Sequence, residues 1–201
     1  MSEIVMHFDT ETTGLDPKKS ALIQISGIIE KDGVEVERFD FKVRPFKNDT
    51  IQPAALAVNG HKIEEIMQYP LPKVVYNKLE ALFQKHIDRF AKGTDKNKVQ
   101  MCAYNAQFDA GVLRAFYAKC EDKWFGARFF NVAWDSMSIA AAFVFGPAGV
   151  RKLKNQKLAT VAEAIGIEVK EDKLHDSMYD VELHREIWRK VEGVMYSREQ
   201  H

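Results

Sequence analysis

The apolar positions of this chain keep two rhythms: short runs and alternation in the early segments, and a helical three-to-four spacing in much of the remainder. Ile4-Val5-Met6-His7-Phe8 is an almost unbroken apolar run. It is the pattern of a strand buried on both faces inside a helix-covered sheet. The run passes directly into Asp9-Thr10-Glu11-Thr12-Thr13-Gly14, so the strand ends acidic. Leu15-Asp16-Pro17-Lys18-Lys19 then supplies turn chemistry. Leu22 to Ile29 and Val34 to Val43 are rich in β-branched and aromatic residues and meet at Asp32-Gly33, which predicts a hairpin. From Pro53 to Met67 the spacing predicts two short helices broken at Asn59-Gly60. Pro72 opens a longer helix, with Val75, Leu79, Leu82, Phe83, Ile87 and Phe90 on one stripe.

The second half repeats the alternation of strand and helix. Ala91 to Lys98 reads as a polar connection and Val99 to Tyr104 as a strand. Asn105 is a candidate N-cap for a helix striped by Phe108, Val112, Ala115 and Phe116. A further strand is expected from Arg128 to Trp134, ending at Asp135, then an apolar helix through Phe145 that Gly146-Pro147 stops. The basic residues Arg151, Lys152, Lys154 and Lys157 precede a short helix from Leu158 to Ile165. His175-Asp176-Ser177-Met178-Tyr179-Asp180 opens a terminal helix striped by Leu183, Ile187 and Val191, capped by Asp176 or Ser177. Residues after Val194 are polar and expected to fray.

Composition narrows the picture only slightly. With 201 residues, 46% hydrophobic and 29% charged, the chain suits one α/β domain covering 1–201. Its formal net charge is zero, so bulk charge names no nucleic-acid or membrane partner. No apolar run reaches the length of a membrane span, and Met1-Ser2-Glu3 leads straight into a strand, so no membrane partner and a cytoplasmic location are expected. Cys102 and Cys120 lack metal-type spacing and are expected to be reduced thiols.

The acids change the picture more. Side chains alternate along a strand, so Asp9 and Glu11 share a face at the strand end, where open α/β sheets keep their working crevice. Two close carboxylates repel unless a cation such as Mg²⁺ or Mn²⁺ lies between them. Asp109 sits beside an apolar helical stripe, and Asp180 shares a stripe with Leu183 and Ile187, so both are expected to look inward. Four converging acids suit two ions that clamp a phosphoryl displacement. His175, in the loop before the last helix, is the candidate general base, because histidine as a residue type titrates near neutrality.

Phe8-Asp9-Thr10-Glu11-Thr12-Thr13-Gly14-Leu15, Asn105-Ala106-Gln107-Phe108-Asp109, and His175 with Asp180 resemble the three motifs of the DEDDh (DnaQ-like) 3′-to-5′ exonuclease family. That group includes the proofreading epsilon subunit of bacterial DNA polymerase III and ribonuclease T. The resemblance implies a ribonuclease H-like α/β fold with a mixed five-stranded sheet. It implies removal of nucleotides from single-stranded 3′ ends, with a DNA polymerase as a potential partner. It further implies that Asp9 bridges two Mg²⁺ or Mn²⁺ ions, that Glu11 and Asp180 complete the site of the water-activating ion, that Asp109 supports the second, and that His175 is the base. Thr12 and Thr13 through their backbone, with Leu15, Asn105 and Phe108, would hold the terminal nucleotide. Three departures from the family pattern stand out: Tyr104 before the second motif, Asn59-Gly60-His61 after the hairpin, and Ser177 where alanine is common.

Other signals read as structural. His7 shares a strand face with Asp9 but lies deeper, as a packed core histidine; Asp135 reads as a helix N-cap, or else an acid supporting the others. The basic stretch reads as a solvated loop, and Trp124, Phe125, Phe129, Phe130 and Trp134 as core aromatics. The favoured substrate is single-stranded DNA. The alternatives are an RNA exonuclease and a non-catalytic nucleic-acid-binding or polymerase-docking subunit.

Overall fold

The computed structural model describes residues 3–88, 90 and 98–198. Its sheet is built from β1 (Ile4–Thr12), β2 (Leu22–Lys31), β3 (Val34–Lys42), β4 (Gln100–Ala103) and β5 (Trp134–Asp135), in the order β3-β2-β1-β4-β5. β1 runs antiparallel to β2 and parallel to β4; β2–β3 is antiparallel and β4–β5 parallel. The expected mixed five-stranded sheet is thus present, with β1 in its middle. The β2–β3 hairpin turns at Asp32 (φ 53°) and Gly33 (φ 76°), the two left-handed positions that a tight hairpin turn requires.

Helices cover both faces. On one, Met6, Phe8, Ile25, Ile29 and Met101 pack with Val75, Leu79 and Phe83 of α3 (Pro72–Gln84) and Val112, Leu113 and Phe116 of α4 (Ala106–Lys119). On the other lies α8 (Ser177–Arg198), whose Leu183, Ile187 and Val191 form a second core with α5 (Ser136–Ala140) and α7 (Leu158–Ala164). Arg185 and Arg189 of α8 meet Glu30 of β2, and Arg38 of β3 meets Glu182, which fixes α8 across the hairpin. α1 (Pro53–Asn59) and α2 (Ile63–Ile66) are separated at Gly60, whose φ of 71° ends the first of them. Among the described residues no helix is long and apolar enough to cross a membrane.

Four boundaries differ from those expected. α3 stops at Gln84 rather than running to Phe90, because the Asp88 carboxylate accepts the Phe90 N–H (2.9 Å) and turns the chain; Phe90 ends 77% exposed. The strand expected over Arg128 to Trp134 reduces to the two residues of β5 and one isolated bridge, Val99 to Phe129. There Arg128 turns inward to Glu80 and Asp122, and the chain bulges out at Val132 before rejoining the sheet. Gly146, with φ 63°, breaks the apolar helix as expected, but Pro147 starts a further turn, α6 (Gly146–Val150). The last helix does not end near Val194 but continues to Arg198. The expected polar connection from Ala91 to Lys98 lies, except for its last residue, outside the described residues.

Candidate active site

β1, α4 and α8 bring the four acids to one end of the sheet. Asp9 and Glu11 stand on the α8 side of β1, at its carboxyl end. Asp109 sits in the first turn of α4, buried, where Thr10 donates to its Oδ1 twice, from the hydroxyl (2.6 Å) and from the backbone N–H (3.1 Å). Asp180 lies in the first turn of α8 with Oδ1 buried and without a hydrogen-bond partner. Asp176 caps that helix, accepting the Tyr179 N–H at 3.0 Å. Ser177, freed from capping, donates to Asp9 Oδ2 at 2.9 Å.

The acids feel one another. Burial pushes Glu11 up to about 9, and the charges of Asp9, Asp180 and Asp109 add to it. Asp180 rises to about 7 through burial and then the Asp9 charge; Asp9 rises to about 6 through burial, opposed by the Ser177 hydrogen bond. Asp109 is pushed well above the usual carboxylate range, by burial first and Asp9 second. Such crowding of negative charge, with an orphaned oxygen on Asp180, fits a hard divalent cation and an all-oxygen donor set. The set is looser than one ion's ligand shell: among the described residues only His7, Cys102 and His184 bring three ligand atoms within 4.8 Å of one another.

His175 is exposed in the turn before α8, with a left-handed φ of 70°. It lines a cleft of about 560 Å³ together with Gln24, Lys42, Asn59, His61 and Ser177. It lies in the loop ahead of the Asp176 cap, as expected, and its backbone hydrogen-bonds Asp180. Leu15 is 83% exposed next to this edge, and Phe108 is half-buried at the start of α4. Asn105 stands at the N-cap position of α4, as expected, but its backbone is left-handed (φ 62°) and its side chain makes no capping hydrogen bond. Its backbone N–H is taken by Asp135 Oδ1 at 3.0 Å. Thr13 donates its N–H to Ala21 O (3.0 Å) and its hydroxyl to Thr50 O (2.7 Å), which fastens the strand end.

The similarity of this chain to known proteins matches that geometry. The family model RNase_T, described as an exonuclease, matches residues 6–187, which takes in all four acids and the histidine. The chain belongs to this exonuclease family. Ribonuclease T of Cronobacter sakazakii is 28% identical over 179 residues, 87% of this chain and 74% of that protein; ribonuclease T of Klebsiella pneumoniae is 33% identical over 106 residues, 50% of this chain and 48% of that one. Among solved structures, E. coli exonuclease I bound to a dT13 oligonucleotide superposes with TM-score 0.70 at 20% identity, over 94% of this chain and 40% of that one. The zinc-bound complex of exonuclease I with single-stranded DNA gives 0.72 at 20%, over 100% and 42%. The chain therefore spans about two fifths of the exonuclease I chain, and that likeness establishes the shared ribonuclease H-like fold.

Within this exonuclease the three departures acquire positions. Ser177 holds Asp9. Asn59 donates to Thr12 O at 3.0 Å and lies against Glu11, whose carboxylate it steadies. Tyr104 packs into the second core and donates to Gln156 O at 2.6 Å. Thr10, to which the sequence assigned no role of its own, is the main partner of Asp109. Its only signal was its place in the motif.

Proposed function

We propose that this exonuclease hydrolyses phosphodiester bonds from the 3′ end of single-stranded nucleic acid, with DNA favoured, using two Mg²⁺ or Mn²⁺ ions held by Asp9, Glu11, Asp109 and Asp180. The observation that carries the reading is the convergence of the buried Asp109 with the half-buried, mutually repelling Asp9, Glu11 and Asp180 from three elements, close to the exposed His175. Four oxygen-donor side chains of this kind could hold hard divalent cations. Such ions, when bound, neutralise the phosphate and acidify a water.

The chain's own groups do the rest. Asp9, oriented by Ser177, and Asp109, oriented by Thr10, are held before substrate arrives, so little reorganisation is left for the reaction. His175 accepts the proton as the water oxygen attacks phosphorus, and its exposure lets that proton pass to solvent. The bond to the 3′ oxygen of the preceding nucleotide breaks, that oxygen takes a proton from water, and a nucleoside 5′-monophosphate leaves. Leu15, exposed at the rim, and Phe108 offer apolar surfaces that any base can stack on, in keeping with sequence-independent trimming.

RNA as the preferred substrate is the second reading, favoured by the ribonuclease T relatives that cover 87% of the chain. Matched 5′-labelled DNA and RNA oligonucleotides, incubated with Mg²⁺, Mn²⁺ or EDTA, decide between them. The expected result is a metal-dependent ladder shortening from the 3′ end, faster on DNA. A faster RNA ladder selects the second reading, and binding without shortening in any metal removes catalysis from this site.

A further inference from the structure

Directly beneath the acids, on the same face of β1, lies a second group of ligand-type side chains that the reaction does not use. In the parallel pairing of β1 with β4, His7 stands beside Cys102, so their side chains emerge on the same face of the sheet. His184, one helical turn beyond Asp180 on α8, comes down onto them, its ring centroid 5.5 Å from that of His7. All three are buried, at 0%, 0% and 1% exposure. One ligand atom from each lies within 4.8 Å of the other two.

The cluster is poorly satisfied as it stands. None of the four ring nitrogens of His7 and His184 has a hydrogen-bond partner among the described residues, and His7 Nε2 approaches Glu30 Oε2 only to 3.5 Å. Buried polar atoms are rarely left in this condition, and two adjacent imidazoles whose nearest polar neighbours are the Glu30 carboxylate and the Phe8 backbone leave ring nitrogens open to a ligand. The surroundings favour a positive one. Burial pushes the Cys102 thiol up, and the negative charges of Asp135, Glu192 and Glu30 add to it. The donor set of two nitrogens and one sulfur selects zinc-class ions over magnesium.

We propose that His7, Cys102 and His184 form a buried binding site for a zinc-class divalent cation, separate from the catalytic acids and pinning α8 to the centre of the sheet. On binding, the Cys102 S–H bond gives its proton to solvent and the thiolate sulfur bonds the cation, while the two neutral imidazoles each donate a nitrogen lone pair; no redox change is involved. Bonds of about 2.0–2.1 Å to nitrogen and about 2.3 Å to sulfur place tetrahedral ligand atoms roughly 3.5 Å apart, so the set closes with movements of about an ångström. Glu30, beside His7 and held by Arg185 and Arg189, supplies the neighbouring carboxylate that histidine ligands usually have. The spacing of the ligands along the chain hides the site, because they come from β1, β4 and α8.

Metal analysis tests it in a background where two of the four acids are neutralised. The Asp9→Asn/Asp180→Asn double variant is produced in zinc-supplemented cells and dialysed against excess Mg²⁺. The expected result is about one zinc per chain, a thermal midpoint raised by roughly 5–10 °C when free zinc stands a hundredfold above its dissociation constant, and a thiolate-to-cobalt absorption band in the cobalt-loaded protein. Adding Cys102→Ala should remove the zinc, the band and the shift; His184→Gln serves as the second variant should that one fail to fold. Protein that carries no zinc and shows no band overturns the proposal, as does zinc retained undiminished by Cys102→Ala or His184→Gln.

Discussion

Met6 and Phe8 point to one side of β1, and His7, Asp9 and Glu11 to the other; both sides are covered by helices, but they behave as opposites. The α3–α4 side holds apolar side chains that gain from leaving water and whose positions are set by packing. The α8 side holds carboxylates and imidazoles that lose hydration without full repayment: Asp180 Oδ1 and all four ring nitrogens of His7 and His184 lack partners. One face of the strand keeps the fold together, while the other holds polar groups in wait for ligands. A single alternating sequence, two residues per repeat, separates stability from chemistry.

Substitutions at adjacent positions should pull the faces apart. Asp9→Asn is expected to lower turnover by about 10³-fold or more, since it removes a charge from the centre of the acid group. Metal-free, it should leave the protein as stable or more stable at neutral pH, because the buried charge that it deletes has its pKa raised to about 6. Phe8→Ala, one position away, should cost about 3–5 kcal/mol of stability through lost burial and a cavity. Urea unfolding and an oligonucleotide assay on both proteins check this. Near-normal turnover in Asp9→Asn would sink the assignment of the acids.

His175→Ala sharpens the chemical side alone. The residue is exposed, so no stability change is expected, and turnover should fall by about 10²–10⁴-fold with KM nearly unchanged. Comparable losses in both parameters would mean that His175 grips substrate and does not take the proton.

How much of this was readable beforehand follows the same division. The apolar run of β1, the Asp32-Gly33 hairpin and the break at Asn59-Gly60 are local patterns, and each is present in the fold. The acids were legible because they fall in motifs, and their placement at strand and helix ends is again local. The misplaced elements are those whose fate depends on ion pairs and hydrogen bonds that periodicity does not record, some distant and one local. Arg128 abandons its strand for Glu80 and Asp122, and Phe90 leaves its helix when Asp88 turns the chain. Asn105 has the composition of a cap, yet Asp135, from the neighbouring strand, takes its N–H and holds it in a left-handed turn. The pairing of Thr10 with Asp109, and of Ser177 with Asp9, spans the chain and leaves no periodic trace.

Removing metal should expose the strain on the α8 side as a reversed pH dependence. Asp9, Asp180 and Glu11 have folded values of about 6, 7 and 9, all above the ordinary carboxylate range. At these acids the folded chain binds more protons than the unfolded one up to about pH 9, whereas His61, His86 and His184, lowered by burial, act in the opposite sense below about pH 6.5, so stability falls as pH rises above that value. In EDTA the protein should lose on the order of 3 kcal/mol between about pH 7 and pH 9, and saturating Mg²⁺ should flatten the curve. Urea midpoints at each pH, with and without Mg²⁺, measure it. A curve that climbs with pH in EDTA would show that the acids are not crowded in solution.

The smallest change tests whether the two faces communicate through Thr10, whose side chain belongs to the apolar face but whose hydroxyl holds Asp109. Thr10→Val keeps the shape and leaves the backbone N–H donating to the same oxygen, so Asp109 loses one of its two bonds from this residue and stays buried. Losing a hydrogen bond to a charged group costs about 1.5–3 kcal/mol, and the surviving bond offsets part of it. The expected outcome is a fall in turnover of about tenfold, with the acidic limb of the pH–rate profile moved upward as Asp109 becomes harder to ionise. Stability should change little, since methyl replaces hydroxyl against an apolar wall. If instead stability drops and the profile stays where it was, Thr10 serves packing alone, and Asp109 is held in place by α4 without help from the strand.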